Sequence, residues 1–356
     1  MSGGVDSSVT AGLMAALGYQ VIGVTLRLSD STVPRRAGAC CAGVDIYDAK
    51  NVAAQLGIPH YVIDYIDKFR EEVMVPFADA YASGETPVPC ISCNRSVKFT
   101  DLLKISQDLG ASALATGHYA RRLRVSGHSG HSGREVALLR AVDAARDQSW
   151  FLAFTTLAQL TEIRFPLGGI KDKSTVRHMA QIMGLSVTSK PDSQDICFVP
   201  DAGYREIVGK YRPDALRSGD IVTQAGEVLG QHNGIIDFTI GQRRGLGIAA
   251  ASPLYVIAID SVNARVVVGP REQLQVQKMA LRDMNYLQEI NNDGLETGVR
   301  WRSSQTPVAG FLYPNPDHCT ARVTLAQTYE GAAAPGQAAV FYSDDRVMAA
   351  GYILRP

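Results

Sequence analysis

The sequence lacks an excess of charge of either sign and has no long apolar run. Its 35 Lys and Arg residues balance 35 Asp and Glu residues, so the net charge gives no sign of bulk affinity for nucleic acid, although a local basic patch can lie within a neutral total. No apolar run reaches the roughly 18 residues of a membrane-spanning helix, and no basic-then-apolar leader opens the chain. We therefore expect a cytoplasmic protein that does not enter a membrane.

Cysteine is also scarce, since the 356 residues include only six. Six cysteines are too few for a disulfide scaffold of this size. Cys40 and Cys41 are adjacent, Cys90 and Cys93 are three residues apart, and Cys197 stands alone. This clustering predicts reactive or metal-binding thiols in a reducing compartment.

The composition and length predict a globular protein of two or three domains. Hydrophobic residues make up 46% and charged residues 20% of the chain, which excludes a disordered, collagenous or coiled-coil protein. Helical and strand patterns alternate through the first 200 residues. The predicted helices cover residues 7–17, 45–56 and 99–109, and the predicted strands cover residues 21–26, 60–64 and 113–118. This order predicts an α/β fold with a doubly wound parallel sheet.

Beyond about residue 200 the pattern changes to short apolar runs separated by turn signals. The predicted strands cover residues 221–222, 235–236, 254–259, 265–268, 321–325, 338–342 and 347–354. They predict a small central domain followed by a β-barrel-like domain. We expect domains at 1–199, 200–272 and 273–356. The Ser-, Gly- and His-rich stretch 126–133 is interpreted as a surface loop between two strands, in preference to a metal site at His128 and His131.

The chain opens with a motif that suits a phosphate group. Two glycines in Ser2–Ser8 allow a tight turn, and the helix that follows offers free N–H groups and a partial positive charge. The string resembles the phosphate loop of ATP pyrophosphatases, which cleave ATP between the α- and β-phosphates. In that setting Asp6 would help to hold Mg²⁺ or act as a base. The superfamily carries a strand before this loop, so we expect the native start codon to lie upstream of Met1.

Two further stretches contain cysteines that could carry out chemistry. Cys93 follows Pro87 and Pro89 and is predicted to precede a helix that begins near Asn94, a position that lowers the pKa of a thiol. Cys197 lies 104 positions later. In one interpretation Cys40, Cys41, Cys90 and Cys93 bind zinc or an iron–sulfur cluster. In the other, Cys93 and Cys197 form a redox pair that carries and releases persulfide sulfur.

With these motifs in order, the chain closely resembles the bacterial tRNA-specific 2-thiouridylases over almost its whole length. The matching stretches, with x for an unmatched position, are SGGVDSS at 2–8, the Cys40–Cys41 stretch with Asp45 and Asp48–Ala49, LGIP at 56–59, TPxPxxxCN at 86–94, ATGHYAR at 115–121, DQS at 147–149, DSxxICF at 192–198, TIGQRRGLG at 239–247 and PGQ at 335–337. The resemblance implies that ATP adenylates the 2-oxygen of a wobble uridine. A persulfide on Cys197 then attacks the activated carbon. Cys93 is the implied nucleophile that liberates the sulfur, leaving a Cys93–Cys197 disulfide.

The resemblance also implies the ligand contacts. The implied ATP contacts are Met1, Ser2, Gly3, Gly4, Val5, Asp6, Ser7, Leu26 and Gly117. The implied tRNA contacts are Val88, Pro89, Cys90, His118, Arg146, Asp147, Gln148, Arg300, Arg302 and Gln337. The family usually has Asn at the position of Val88, so this chain lacks one hydrogen-bonding side chain there. The expected partners are tRNA and a persulfide donor protein, and the expected cofactors are ATP and Mg²⁺.

A local excess of positive charge is the evidence from the residues themselves for an RNA partner. The stretch from Cys93 to Arg146 contains nine Lys and Arg residues and four Asp and Glu residues. Arg121, Arg122 and Arg124 could contact phosphates or form an ordinary solvated face. Three other functions stay open: a small-molecule synthetase of the ATP-pyrophosphatase type, a non-catalytic RNA-binding module and an iron–sulfur-dependent tRNA thiolation enzyme.

Overall fold

The computed structural model describes residues 1–29, 43–125, 135–192, 196–199 and 203–355. The chain divides into two compact units. The first unit comprises residues 1–72, 90–201 and 345–347, and the second unit comprises residues 73–89, 202–344 and 348–356. The segment 73–89 therefore belongs with the C-terminal half of the chain, although it precedes Cys93 in the sequence.

Within the described residues, the α-helices all lie before residue 212, and most of the strands lie beyond residue 218. The α-helices are α1 (Val5–Ala16), α2 (Gly43–Leu56), α3 (Ile66–Phe69), α4 (Val75–Ala82), α5 (Pro89–Ser92), α6 (Leu102–Asp108), α7 (Ser149–Leu152), α8 (Leu157–Glu162), α9 (Lys173–Ile182) and α10 (Tyr204–Tyr211). The strands are β1 (Gly23–Arg27), β2 (His60–Asp64), β3 (Leu114–Ala115), β4 (Ala120–Val125), β5 (Glu135–Arg140), β6 (Ile163–Arg164), β7 (Gly219–Thr223), β8 (Val228–His232), β9 (Tyr255–Asp260), β10 (Arg265–Gly269), β11 (Gln275–Tyr286), β12 (Leu295–Arg300), β13 (Val308–Pro314), β14 (Ala321–Glu330), β15 (Ala338–Ser343) and β16 (Arg346–Ile353). Among the helices of the described ranges, none is both long enough and apolar enough to cross a bilayer.

The first unit contains parallel strands separated by helices. β1 pairs with β2 in parallel, and β3 pairs with β6 in parallel. This arrangement confirms the predicted α/β class. β4 and β5 form an antiparallel hairpin, so the predicted strands on both sides of residues 126–133 are present. That stretch, with His128 and His131, lies outside the described residues.

Helix α1 anchors the start of the chain in the core of the first unit. Val5 and Val9 are buried one helical turn apart and join a cluster with Val52 of α2 and with Val176 and Ala180 of α9. Residues four positions apart lie on the same face of a helix, so this face holds α1 against α2 and α9. The loop that precedes α1 is therefore fixed at one end by buried apolar side chains.

The helix predicted at 99–109 begins earlier than expected. Pro89 takes the first position of α5, where the missing N–H of proline costs nothing, and the helical segment continues through π-helical turns from Cys93 into α6. The predicted start near Asn94 is wrong, because Ser92 already has helical dihedral angles of φ −58° and ψ −45°. Cys93 therefore lies inside the helical segment, beyond its first turn. The helix dipole acts most strongly in that first turn, so its effect on Cys93 is weaker than predicted.

A four-stranded sheet forms the first part of the second unit, with the strand order β8-β7-β10-β9. Three of the strands predicted in this region are present as β7, β9 and β10. The strand predicted at 235–236 is wrong, because Ile235 and Ile236 are buried in a 3-10 turn after Gly234. Both isoleucines contribute to the core without pairing in a sheet, so two adjacent apolar residues were a poor signal for a strand.

Six strands of the second unit close into a barrel. Their order is β11-β14-β13-β12-β15-β16, and β16 pairs again with β11. Buried side chains fill the interior, among them Leu281, Trp301, Leu312 and Phe341. Closure removes exposed strand edges, and it confirms the predicted β-barrel. β11, β12 and β13 were not among the predicted strands.

Candidate active site

The loop at the start of the chain is held by its own hydroxyl groups. Ser2 N donates to Ser7 Oγ at 3.1 Å, and the two serine hydroxyls are also 3.1 Å apart. The hydroxyls of Ser7 and Ser8 donate to the Gly4 carbonyl at 3.2 Å and 2.8 Å. Gly4 is the N-cap of α1 and has no side chain to cap the first turn. The loop therefore presents the first N–H groups of α1, which is an arrangement suited to an anion.

Two glycines allow other segments to approach this loop closely. Gly3 has φ +67°, and a side chain there would overlap the carbonyl oxygen of Asp45. A Cβ on Gly117 would lie 2.8 Å from the carbonyl carbon of Asp6 and 2.9 Å from Ser7 N. Gly117 therefore packs directly against the backbone of the loop, as its predicted role in the same site requires.

Met1 lies beside β1. Its amino group bonds to the carbonyl of Val24, and the hydroxyl of Thr25 donates to the Met1 carbonyl at 2.7 Å. Leu26 is buried next to Thr25, one residue before β1 ends. The structure thus brings the loop, the strand that carries Leu26 and the turn at Gly117 together in the first unit. Their contact with ATP stays a prediction.

The carboxylate of Asp6 is bound by Lys173 and Tyr119. Lys173 Nζ lies 2.7 Å from each Asp6 oxygen, and the Tyr119 hydroxyl donates to Oδ1 at 2.6 Å. The side chain of Lys173 is only 11% exposed, and its Nζ lies 5.8 Å from the centre of the Tyr119 ring. Burial, with the hydrogen bond to Asp6, raises the pKa of Tyr119, so its hydroxyl stays protonated and donates.

Lys173 also contacts Asp192, which precedes Cys197 by five positions. Lys173 Nζ is 2.9 Å from Asp192, and Arg146 and Arg177 approach the same carboxylate at 2.7 Å and 3.2 Å. Burial alone would raise the pKa of Asp192, but the bond from Lys173 and the nearby positive charges hold it below its usual value. Asp192 therefore stays ionised and connects the loop to the segment that leads to Cys197.

Lys190 ties this segment to helix α2. Its Nζ bonds to carboxylate oxygens of Asp45 and Asp48. Burial alone would lower the pKa of Lys190, but the two carboxylates outweigh it and raise the pKa. Because the Asp45 carbonyl also contacts Gly3, one residue of α2 touches both the loop and the segment before Cys197.

The segments of Cys93 and Cys197 both pack around helix α3. Cys93 is 7% exposed and begins the π-helical segment Cys93–Asp101, which packs against α3. Phe198 follows Cys197 and packs edge-on against Phe69 of α3, with ring centres 5.7 Å apart. Cys197 is half-buried. The structure thus places the two cysteine segments on one short helix, and the pairing of the thiols stays a prediction.

The alternative metal site can be placed only in part. Cys90 is exposed whereas Cys93 is buried, and Cys40 and Cys41 lie outside the described residues. Within the ranges that the structure describes, no group of three or more His, Cys, Asp or Glu side chains is arranged to hold a metal ion. Cys90 and Cys93 are therefore not joined by a third described ligand of these types.

His118, a predicted tRNA contact, has a neutral ring. The Thr116 hydroxyl lies 2.9 Å from its Nδ1, and the ring packs edge-on against Phe99. Burial, together with the charge of Lys98, lowers the pKa of His118 to about 3. A contact between His118 and RNA would therefore depend on a neutral imidazole and not on charge attraction.

The low pKa of His118 predicts a loss of stability in acid. In the unfolded chain this histidine titrates near its ordinary value of 6.5, so between pH 6.5 and about 3 the unfolded state binds one more proton than the native state. The free energy of unfolding should therefore decrease as the pH is lowered through this window. This residue contributes up to about 1.4 kcal/mol per pH unit. Denaturant unfolding between pH 7.5 and pH 4.5 measures the slope, which should be flatter for His118→Asn. Equal slopes would contradict the assignment.

The predicted tRNA contacts at 146–148 already have partners inside the first unit. The buried Asp147 side chain accepts bonds from the backbone N–H and the hydroxyl of Ser149, at 3.1 Å and 3.0 Å. Gln148 Oε1 accepts the N–H of Tyr119 at 2.9 Å. With Arg146 bound to the carboxylate before Cys197, this segment orders the candidate site. Its contact with tRNA stays a prediction.

The basic cluster after His118 is largely internal. Arg121 pairs with Asp345 at 2.6 Å, and Arg122 donates to the carbonyl of Leu160 at 2.6 Å. Arg124 is exposed. Of the two interpretations of this cluster, an RNA-contacting surface therefore applies best to Arg124.

The predicted tRNA contacts in the second unit differ in exposure. Arg300 is 5% exposed, and its Nε donates to the carbonyl of Arg302 at 3.2 Å. Arg302 is exposed and donates to the carbonyl of Ala332 at 3.0 Å. Gln337 donates from Nε2 to the carbonyl of Thr86 at 2.8 Å. Burial leaves little of Arg300 for a direct RNA contact, whereas Arg302 presents its side chain at the surface.

The stretch matched to the target base also varies in exposure. Val88 is partly buried, Pro89 is buried and Cys90 is exposed. Cys90 therefore has the most accessible side chain of the three, and their contact with a base stays a prediction.

Lys173 is a central residue of this site that the sequence motifs did not include. It occupies the first position of α9, after the N-cap Asp172, whose carboxylate accepts the N–H of Thr175. A cation at the positive end of a helix is unfavourable unless anions offset it. That conflict was a readable signal in the sequence, and Asp6 and Asp192 are the anions that resolve it.

Three family models match the chain in succession. They are described as the tRNA methyl transferase HUP domain over residues 1–201, the tRNA methyl transferase PRC-barrel domain over residues 205–270 and the aminomethyltransferase beta-barrel domain over residues 276–353. These matches agree with the fold: an α/β phosphate-loop domain, a small central domain and a C-terminal β-barrel.

Relatives are similar over the full length. The tRNA-specific 2-thiouridylase MnmA of Nitrobacter hamburgensis is 52% identical, with 100% of this chain and 89% of that protein aligned. The proteins of the same name from Bradyrhizobium diazoefficiens (52% identical; 99% and 90% aligned) and Agrobacterium fabrum (51% identical; 100% and 90% aligned) are equally similar. Although the family-model descriptions mention methyl transferases, identity at this level over the whole length decides the assignment. The chain belongs to the family of tRNA-specific 2-thiouridylases.

Proposed function

We propose that the protein is a tRNA 2-thiouridylase that replaces the 2-oxygen of a wobble uridine with sulfur, using ATP and a cysteine persulfide. One observation carries the proposal. The contacts from Asp6 to Lys173 and from Lys173 to Asp192 join the phosphate loop to the segment that leads to Cys197. Activation of the uridine and delivery of sulfur therefore use parts of one charged network. A small-molecule synthetase would need only the first of these parts.

In the first step, the uridine 2-oxygen attacks the α-phosphorus of ATP, the bond between the α- and β-phosphates breaks, and pyrophosphate leaves. The N–H groups and hydroxyls of Ser2–Ser7 are suited to hold the departing pyrophosphate, because they are already oriented by bonds within the loop. Lys173 Nζ, 2.7 Å from Asp6 in that loop, can add a positive charge close to the phosphates.

In the second step, the terminal sulfur of a persulfide on Cys197 attacks C2 of the activated uridine. The Cys93 thiolate attacks Cys197 Sγ and breaks the bond to the terminal sulfur, whose electron pair stays with the nucleoside. AMP leaves with the former 2-oxygen. The products are 2-thiouridine, AMP, pyrophosphate and a Cys93–Cys197 disulfide, which an external thiol must reduce before the next turnover.

The loop also fits Mg²⁺. This ion prefers oxygen ligands and is usually held by one or two carboxylates together with substrate phosphates. Asp6 is the acidic residue of the loop, and its oxygens already bind a cation, the ammonium of Lys173. Asp6 and the ATP phosphates would hold Mg²⁺, which offsets phosphate charge when it is bound. A role of Asp6 as a base is the alternative.

The partners follow from the same chemistry. A persulfide donor protein must load Cys197, and the half-buried state of that residue leaves part of its surface accessible. Wobble-uridine tRNA would contact the residues assigned above, of which Arg146, Arg302 and Cys90 are accessible. A cytoplasmic location and domains at 1–199, 200–272 and 273–356 belong to the same proposal. The family matches over 1–201, 205–270 and 276–353 support that division.

The test is a reaction of the protein with ATP, Mg²⁺, a persulfide donor and unmodified tRNA, followed by nucleoside analysis. We expect 2-thiouridine to form only when all four are present, together with AMP and pyrophosphate. ATP cleavage without thiolated tRNA would favour a small-molecule synthetase, and no cleavage would favour an RNA-binding module. Thiolation that requires iron in anaerobically purified protein would favour the iron–sulfur alternative.

A further inference from the structure

Residues of the second unit bind a short segment that precedes Cys93 in the sequence. Residues 73–89 belong to the second unit. The turn that follows α4 is bonded within that unit at Ser83, Glu85 and Thr86. Arg355 donates to the carbonyl of Ser83, and Arg282 pairs with the carboxylate of Glu85 at 2.9 Å. The next residue, Thr86, is held on both sides of its backbone.

The turn Pro335–Gln337 supplies both contacts to Thr86. The N–H of Thr86 donates to the Pro335 carbonyl at 2.8 Å, and Gln337 Nε2 donates to the Thr86 carbonyl at 2.8 Å. Gly336 has φ +81°, and a Cβ there would lie 2.9 Å from Glu85 Cβ and 3.3 Å from Thr86 N. Glycine is therefore needed at 336 for the close approach. Pro335 supplies the carbonyl acceptor and Gln337 supplies the amide donor.

The turn itself is fixed to the barrel. Gly336 N donates to the carbonyl of Ile353 in β16 at 2.9 Å, and Ile353 N donates to the carbonyl of Gln337 at 2.9 Å. Thr86 is thus attached to a turn whose backbone is bonded to β16 of the barrel. We call the two bonds that Thr86 makes, to the Pro335 carbonyl and from the Gln337 amide, the Thr86 bracket. They resemble a pair of bonds in a β-ladder, except that a glutamine side-chain amide replaces one backbone N–H.

The sequence after Thr86 has little freedom of its own. Pro87 and Pro89 fix φ near −65°, and a residue before proline is restricted to extended conformations, so both Thr86 and Val88 are constrained. Pro89 then begins the helical segment in which Cys93 is the fifth residue. A bracket at Thr86 therefore sets the direction of Val88 and the start of that helix.

We infer that Gln337 is a positioning residue: through Thr86 it holds the segment Thr86–Pro89, and it acts on this segment in the absence of RNA. The amide that would contact tRNA is already engaged within the protein. This inference deepens the proposed function, because the segment carries part of the predicted base contact. It rests on the proposed function only for its effect on turnover, since the bracket itself needs neither ATP nor tRNA.

Hydrogen exchange of the free protein tests the bracket. Gln337→Met keeps the length of the side chain and removes the donor. The Thr86 N–H should then exchange about fivefold faster, since one net hydrogen bond contributes about that factor to a local opening. The matched control is Gln277→Met, which alters an exposed glutamine of β11 and should leave the exchange of Thr86 unchanged. Unaltered exchange in Gln337→Met overturns the inference.

Turnover and a second variant complete the test. Gln337→Met should lower kcat for thiolation severalfold with less than a twofold change in the KM for tRNA, because the segment is misplaced rather than RNA affinity lost. A change in KM alone, with normal Thr86 exchange, would make Gln337 an RNA contact only and overturn the inference. If the methionine variant proves unstable, Gln337→Glu gives the same reading, since a carboxylate has no proton to donate to the Thr86 carbonyl.

Discussion

Replacing Cys197 with serine is expected to abolish 2-thiouridine formation, by more than about a thousandfold, while pyrophosphate still exchanges into ATP in the presence of tRNA. Serine cannot carry a persulfide, so no sulfur reaches the activated uridine. The phosphate loop and its contacts with Lys173 and Tyr119 do not involve this side chain, so adenylation should stay within about threefold of the parent. Nucleoside analysis and isotope exchange measure the two steps separately.

The corresponding change at Cys93 should stop the reaction at a different point. When it is incubated with the persulfide donor in the absence of ATP and tRNA, Cys93→Ser should keep the persulfide on Cys197, visible as one extra sulfur atom in the intact mass, because nothing attacks Cys197 Sγ. The control is Cys319→Ser, an exposed cysteine of the second unit, which should keep full activity. Thiolation at the parental rate in either active-site variant would remove that cysteine from the mechanism.

Cys90→Ser separates sulfur transfer from a metal site. Cys90 is exposed three residues before Cys93, and the persulfide chemistry requires no thiol there. Its loss should cost less than about tenfold in thiolation. A loss as large as that of Cys93→Ser, with metal released, would favour the alternative in which both cysteines are ligands.

The parts of the site that sequence predicted are those with local signals. Glycines mark positions of close approach, and Gly3 and Gly117 are both pressed against other backbone segments. A short apolar run ending at Leu26 marked β1, and His60–Asp64 was predicted with its observed bounds. In each case the signal lies in the residue types of a short stretch, although the segment that packs against each glycine lies far away in the sequence.

Errors arose where a distant contact or an unusual helix determined the structure. The helical segment of Cys93 begins at Pro89 and passes through π-helical turns, which have no simple apolar period. The barrel strands β11, β12 and β13 were overlooked because polar residues break their apolar runs. In β11, buried positions such as Val276 and Met279 are separated by exposed ones. Closure of the barrel, a long-range property, decides that these segments are strands.

The pairing of residues in the charged network could not be predicted from the sequence for the same reason. Asp6 and Lys173 are 167 positions apart, and Lys190 and Asp45 are 145 apart. No spacing rule connects such residues, since only the packing of α1 against α9 and α2 brings them together. The motifs indicated which chemistry to expect, but the fold supplied the cation that the loop itself lacks.

Replacing Lys173 with methionine is expected to reduce adenylation by about 10²–10³, the range typical for removal of one preorganised donor from developing charge. Methionine keeps most of the apolar stem but removes the ammonium that lies between Asp6 and Asp192. Two carboxylates would then face each other without their shared cation, and phosphate would approach a loop that has become more negative. Exchange of pyrophosphate into ATP measures the loss, and direct ATP titration shows how much of it is weaker binding.

Two companion variants determine whether charge is the cause. Lys173→Arg keeps the positive charge in a different shape and should retain more exchange than Lys173→Met. Lys171→Met alters an exposed lysine two residues upstream and should leave both exchange and ATP affinity unchanged. If Lys173→Met exchanged pyrophosphate within twofold of the parent, Lys173 would be a structural cross-link between Asp6 and Asp192. The positive charge of the nucleotide site would then have to come from another residue.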